Sequence, residues 1–471
     1  MRIAALAGLV AIPLFGLAAN ASWLYPNTLK AVTRDDAKVE QPLRFNFTGP
    51  KDEAPIGKGD RFNGGTIFPL GAGTGIQPIN ETRPMFKTLL NHNEVVSAML
   101  GLRAEYGINL VHPPHRSAEG RSPVIGMIPC RDGHSTSGTC GSDDSYNVLF
   151  TANMLGHDRS SSDAIIYFVS DLLYARKHGL GLEYGNVTYS KRDVERAASV
   201  GIVFFPLVNL DGMVFDAETN SCWRRNRNNA TLEDDEVWKH YSVGVDINRN
   251  FDIAWDYERI LDTSLRRAKR LNSDSPRNEL YRGDHPMSEP ETKNIAWVFA
   301  RFQRISWLMD VRVLGRRVVH PWGIDLNQDT DTEQNWRNKD FDGKRGDVED
   351  KDNVYGEYMD PFDKSLHRNV SRLIRDEVYG VAGRNHSAGE TAYLGPHTGT
   401  FIDWAYSRHI VSPNAEKVFS FAFEFGDSDR EARKNKAICG YYPNKKALNI
   451  NMKETSVAFM TLLLEASQRR S

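Results

Sequence analysis

From about residue 86 onward, hydrophobic and polar positions alternate with regular spacing. Residues 93–106 place Val95, Val96, Met99 and Leu102 on one face, which predicts a helix. Val124–Ile128 and Val148–Phe150 are short apolar runs and predict buried strands. Ala164–Lys177 returns to helical spacing through Ile165, Phe168, Val169 and Leu172. Ile202–Val208 is β-branched and aromatic, as a buried strand requires. Further on, Glu291–Phe302 predicts a helix, Ile305–Val313 and Arg317–His320 predict strands, and Val418–Phe425 predicts another strand. Glu454–Ala466 predicts a closing helix. Strands alternating with helices imply an α/β domain with a mostly parallel sheet. Two regions break the rhythm. Residues 22–85 are rich in Gly, Pro and Asp and predict an irregular N-terminal leader. Residues 325–392 are dense in Asp, Asn, Lys and Arg and predict a long surface insertion.

Composition narrows the setting. The 471 residues carry a net charge of -2, which gives no reason to expect nucleic acid or an acidic membrane as partner. Residues 1–21 match a signal peptide: Arg2, an apolar run from Ile3 to Ala19, and a small-residue cleavage site at Ala19-Asn20-Ala21. A membrane anchor is the rival reading, but Pro13 and Gly16 interrupt the run. Secretion fits the N-x-S/T sequons at Asn46, Asn80, Asn186, Asn229, Asn369 and Asn385. The even set of four cysteines fits it too. Cys130 and Cys140 flank a polar Gly/Ser loop and are expected to pair, leaving Cys222 with Cys439; free buried thiols are the alternative. A mature, secreted glycoprotein without a membrane span is the expectation.

Seven short motifs occur in order. They are Ser117-Ala118-Glu119-Gly120-Arg121-Ser122-Pro123, Asn209-Leu210-Asp211-Gly212, Trp223-Arg224-Arg225-Asn226-Arg227 and Gly244 to Phe251 (GVDINRNF). Then come Tyr281-Arg282-Gly283 with Pro286 to Thr292, Pro321-Trp322-Gly323, and Ser420-Phe421-Ala422-Phe423-Glu424. Together they resemble the zinc carboxypeptidases, the carboxypeptidase A-like metallopeptidases. The resemblance covers residues 86–468 and implies a single domain: a central mixed, mostly parallel sheet of about eight strands flanked by helices.

An enzyme that removes C-terminal residues needs a cation for the terminal carboxylate, oxyanion donors and a general base. The resemblance assigns the carboxylate to Arg249 with Asn248, the oxyanion to Arg227 and the base to Glu424. Simpler readings exist: a structural ion pair for Arg249, a solvated basic run for Arg227, an outward strand residue for Glu424. Ile402 falls at the family's specificity position and implies an apolar pocket floor. The family's mobile tyrosine falls on Gly395, with Tyr393 two residues away as the substrate-binding candidate. Asn248, Arg249 and Arg227 are expected to line one cleft with Glu424.

The zinc pattern breaks. The family's H-x-x-E pair falls on Leu155 and Asp158, and its third ligand falls on Arg312. Leucine offers no donor, and arginine keeps its proton. Sliding the register by two offers His157, but with Ser160 as its partner; His320 lies eight residues beyond Arg312. No cofactor is therefore expected, with zinc only if the site is rebuilt. Asp325-x-Asn327-x-Asp329 begins like a calcium loop but lacks its Gly and closing Glu, so a solvated loop is the simpler account. A direct Asp158–Arg312 ion pair is expected at the metal position, with Leu155 against the Arg312 stem and an Arg312–Glu424 pair as the rival. The favoured function is a non-hydrolytic pseudopeptidase that binds a peptide or protein C terminus. The alternatives are an active metallocarboxypeptidase removing apolar C-terminal residues, or a metal-independent enzyme in the same cleft.

Overall fold

The computed structural model describes residues 52–69, 87–130, 142–231, 242–268, 272–346, 355–427, 431 and 439–469. Among them, eight strands form one sheet. They are β1 (Asn109–Val111), β2 (Ile125–Ile128), β3 (Val148–Ala152), β4 (Ile202–Phe205), β5 (Trp307–Val313), β6 (Arg317–His320), β7 (Ser387–Glu390) and β8 (Phe419–Phe425). Their order across the sheet is β1-β2-β4-β3-β5-β8-β6-β7. The β4/β3, β3/β5, β5/β8 and β6/β7 pairings are parallel; β1/β2, β2/β4 and β8/β6 are antiparallel. The domain is a single α/β unit with a mixed sheet.

Both faces of the sheet are covered. Successive strand residues point to opposite sides. Phe150, Phe204, Met309, Phe421 and Phe423 therefore enter one apolar cluster, while Leu149, Val203, Leu308 and Ala422 enter another. The first cluster is closed by α1 (His92–Tyr106), α2 (Ser161–His178), α5 (Pro361–Ala382) and α7 (Lys445–Gln468). The second is closed by α4 (Pro290–Arg301) and α6 (Phe401–Val411), while α3 (Leu210–Thr219), after β4, adds Leu210, Met213 and Val214 to the first. Helix α1 starts at a capping box: Asn91 accepts from the Glu94 N–H at 2.9 Å, and Glu94 accepts from the Asn91 N–H at 3.1 Å.

Two regions of uneven composition contribute ordered structure. In the leader, Ala54 and Phe62 are buried in the first cluster. Arg61 clasps the buried Glu94 carboxylate at 2.7 and 2.9 Å. In the insertion, α5 carries Leu366, Val370, Ile374 and Val378 on one buried stripe, and β7 supplies an edge of the sheet. Four apolar residues at intervals of four define a helix face even in a strongly charged stretch. Residues 1–21, 22–51 and 70–85 lie outside the described residues, as does Cys140; Cys130 is disulfide-bonded. Among the described residues no helix is long and apolar enough to cross a membrane.

Candidate functional site

Strand parity explains why one carboxylate sits in the Phe-rich strand β8. Phe419, Phe421, Phe423 and Phe425 alternate with Ser420, Ala422 and Glu424, so Glu424 points away from the Phe side. Its cross-strand neighbours are Arg312 on β5 and Arg317 on β6. The three form a lateral cation–carboxylate–cation row near the C-terminal ends of β5 and β8. Arg317 Nη1 donates to Glu424 Oε2 at 2.7 Å, with both side chains largely buried.

Arg312 takes a different partner from the one expected. Its Nε donates to Asp310 Oδ2 at 2.6 Å and its Nη2 to Asn248 Oδ1 at 3.0 Å. No Asp158–Arg312 ion pair forms. The reason is local: Asp310 lies two residues earlier on the same strand, so both side chains leave the same face. Asp310 also accepts from Thr151 Oγ1 on β3 at 2.7 Å. Burial opposes the Arg312 charge, yet Asp310, Glu424 and more weakly Asp158 hold its pKa above the usual guanidinium range. Glu424 thus acts on Arg312 through space while Arg317 holds it directly.

Asp158 is fully buried, and neither carboxylate oxygen has a hydrogen-bond partner. Burial pushes its pKa well above the carboxylate range, against the opposing charges of Arg312 and Arg224. His157 Nε2 is 4.0 Å from Asp158 Oδ1, and its ring stacks on Tyr441 at 3.6 Å. Burial, then the Arg224 charge, keeps that imidazole neutral. The Cys222–Cys439 disulfide, with Cα atoms 5.7 Å apart, ties the segment before Trp223 to the Tyr441 segment. Leu155 is buried in the second apolar cluster.

Zinc does not fit these residues. One position is an apolar side chain in the core, one is an engaged guanidinium, and one is a desolvated carboxyl held toward its protonated form. Among the described residues no group of three His, Cys, Asp or Glu side chains is placed to hold a metal, the Asp325 loop included.

Asn248 organises the other half of the site. Its Oδ1 accepts from Arg312 and from the Phe401 N–H at 3.0 Å, joining β5 to the start of α6. The short 3-10 turn Ile247–Arg249 is capped by Asp246, whose Oδ1 accepts from the Asn248 N–H at 3.1 Å. Asp246 Oδ2 is taken by Arg224 Nε at 2.8 Å and lies 3.9 Å from Arg249 Nε. Arg249 is 2% exposed. Among the described residues its hydrogen bond is Nη1 to Asn248 O at 2.8 Å, and its Nε is buried without a partner. Burial pushes its pKa down to about 10, with Asp246 opposing. His397 lies beside this group: burial first, then the charges of Arg249, Arg312 and Arg317, push its pKa down to about 3.

Arg227 contacts a different set. It lies 3.7 Å from Glu119 Oε1 and stacks over the Phe215 ring at 3.7 Å and the Trp223 ring at 4.8 Å. Among the described residues it makes no hydrogen bond or ion pair with Glu424, Arg249 or Arg312. Ile402, in the first turn of α6, is buried in the second apolar cluster. Tyr393 is 64% exposed on the 3-10 turn Thr391–Leu394. Sequence reasoning passed over Asp310, Arg317, His397 and the Arg224–Asp246 pair. Asp310 was legible from its spacing to Arg312. Arg317 was not, because it depends on which strand lies beside β8.

Fold and site together define a mixed-sheet α/β scaffold with a buried cluster of arginines and carboxylates at the C-terminal ends of β5 and β8. Residues 112–458 match the zinc carboxypeptidase family, and the chain belongs to that family. It is 24% identical over 232 residues to carboxypeptidase A4 of Mus musculus, covering 49% of this chain and 41% of the relative. It is also 27% identical over 126 residues to inactive metallocarboxypeptidase ECM14 of Blastomyces gilchristii, covering 26% of this chain and 18% of the relative. The chain therefore spans less than half the length of these relatives. Carboxypeptidase A from Helicoverpa armigera shares the fold with a TM-score of 0.56 at 16% identity, over 81% of this chain and 74% of that one. Thrombin-activatable fibrinolysis inhibitor matches with a TM-score of 0.55 at 16% identity, over 81% and 75%.

Proposed function

We propose that this family member is a secreted, non-hydrolytic pseudopeptidase that binds the C-terminal carboxylate of a peptide or protein. The observation that carries the reading is Arg249: a deeply buried guanidinium with a free nitrogen, whose nearest carboxylate is 3.9 Å away and already engaged by Arg224. A buried cation without a full partner is costly, and a ligand carboxylate supplies that partner with charge-assisted hydrogen bonds. Asn248 is the second anchor. Hydrolysis is disfavoured on chemical grounds. A guanidinium offers no coordination position to a water molecule and does not lower its pKa as a metal ion does, and Arg317 holds the Glu424 carboxylate. Arg227 and Tyr393 are assigned to the ligand's path beyond the carboxylate, whereas Ile402 is packed into the second apolar cluster. The disulfide supports an oxidising compartment and hence secretion. The test combines metal analysis of purified protein with calorimetric titration of one peptide as its free acid and as its amide. Less than about 0.1 zinc per chain, binding of the acid only, and no released amino acid are expected. Stoichiometric zinc with release of C-terminal residues would overturn the reading.

A further inference from the structure

Arg249 is not the only cation left with bonding capacity in this site. Arg312 spends Nε on Asp310 and Nη2 on Asn248; Nη1 has no protein partner among the described residues, and the side chain is 11% exposed. The two guanidiniums are joined through one residue, since Arg249 Nη1 donates to the Asn248 carbonyl while Arg312 Nη2 donates to the Asn248 side chain. From this pairing of guanidiniums across Asn248, we infer that the site selects a ligand with two carboxylates, a peptide ending in Asp or Glu, one carboxylate on Arg249 and the second on Arg312.

The inference deepens the C-terminal reading above and rests on it. Three nearby carboxylates argue against a second anion: Asp158 is held toward its protonated form by burial, and the other two are already engaged. Asp310 is fully buried and spent on Arg312 Nε and Thr151, on the side away from Nη1. Glu424 is held by Arg317 at 2.7 Å. The alternative ligand is one with an apolar last side chain, as Ile402 suggests. Such a side chain laid over Arg312 would strip water from a guanidinium N–H and give nothing back. A carboxylate in the same place gains a charge-assisted hydrogen bond at a partly desolvated cation. Ile402 itself is 2% exposed and packed among core side chains.

The experiment titrates the full chain with N-acetylated hexapeptides of one body sequence, ending in Glu, Gln, Asp, Asn or Leu, each as free acid and as amide. Free acids ending in Glu or Asp are expected to bind at least about tenfold tighter than their Gln, Asn and Leu counterparts. Arg312→Lys, which keeps the charge but loses the fork, is expected to shrink the Glu-to-Gln ratio. The wild-type comparison needs no variant to fold. If the Leu, Gln and Asn free acids bind as tightly as the acidic ones while every amide fails, the dicarboxylate inference is wrong and the C-terminal reading stands. If amides bind as well as acids, or nothing binds, both are overturned.

Discussion

Removing the Arg312 guanidinium should cost stability through Asp310, not through Asp158. In Arg312→Ala, Asp310 loses a 2.6 Å charge-assisted bond and keeps only the Thr151 hydroxyl at 2.7 Å. Asp310 is fully buried, so its charge is left without a counter-charge in contact. Breaking a buried pair from one side typically costs about 3–5 kcal/mol. Arg312 is partly exposed, and its loss also strands the Asn248 side chain on one fewer donor, so the two corrections oppose each other. Asp158 responds differently. Its carboxyl is held toward the protonated form by burial and makes no bond to Arg312, so little is lost there. Double-mutant cycles separate the two by urea denaturation with a common m-value. Arg312→Ala with Asp310→Ala should show about 2–3 kcal/mol of coupling; Arg312→Ala with Asp158→Ala should show less than about 0.5 kcal/mol. Coupling that is larger at Asp158 than at Asp310 would refute the reasoning.

Four other outcomes are expected. The triple variant Leu155→His, Asp158→Glu, Arg312→His should take up about one zinc per chain, read by metal analysis after gel filtration, because it restores three donors of suitable chemistry. Chelator treatment of the wild type should leave its melting temperature unchanged, whereas a protein stabilised by a bound metal would melt lower. Reducing or replacing Cys222–Cys439, which closes a separation of 217 residues, should cost about 2–5 kcal/mol by chemical denaturation. Glu291 gives a pH signature: burial, then the Glu289 charge, pushes its pKa up to about 8. The folded state therefore holds a proton that the unfolded chain releases near pH 4.5. The stability from that proton is present at low pH and is lost as pH rises toward about 8, by as much as ~5 kcal/mol. Glu291→Gln should flatten the wild-type decline between pH 5 and 8; an unchanged slope would count against it.

Periodicity located β2, β3, β4, β5, β6 and β8 because their residues are buried in the sheet, and such apolar runs stand out from any helix pattern. It also located α1, α2, α4 and α7. It missed β7, because Ser387-Ala388-Gly389-Glu390 has no apolar run, and an edge strand beside β6 needs none. It placed α5 inside a surface insertion because charge density masked a stripe at helical spacing. Within the site, the residues adjacent in sequence were readable: Asn248 beside Arg249, and Asp310 two before Arg312 on one strand face. Contacts made across strands were not. That Glu424 stands between Arg312 and Arg317 follows from strand order and register, and no spacing in the chain encodes either.

The same register explains how a site can lose its metal chemistry and keep its shape. A chain of bonds runs from Thr151 on β3 to Asp310 and Arg312 on β5, then to Asn248 in the 246–250 turn and on to the Phe401 N–H at the start of α6. Arg312 is the central link, tying the strand to the turn that carries Arg249. A metal ion cross-links its ligands in a comparable way, but it also exchanges water, and a bound water can be ionised. A guanidinium cross-links by donating hydrogen bonds from fixed positions and keeps its proton throughout. On the proposed reading, an arginine at this position preserves the part of the site that orders a ligand's carboxylate and removes the part that would activate water. If the site binds a C-terminal carboxylate as proposed, binding and hydrolysis are separable on this scaffold at Arg312, whose Asp310 and Asn248 bonds hold the architecture and leave Nη1 for an anion.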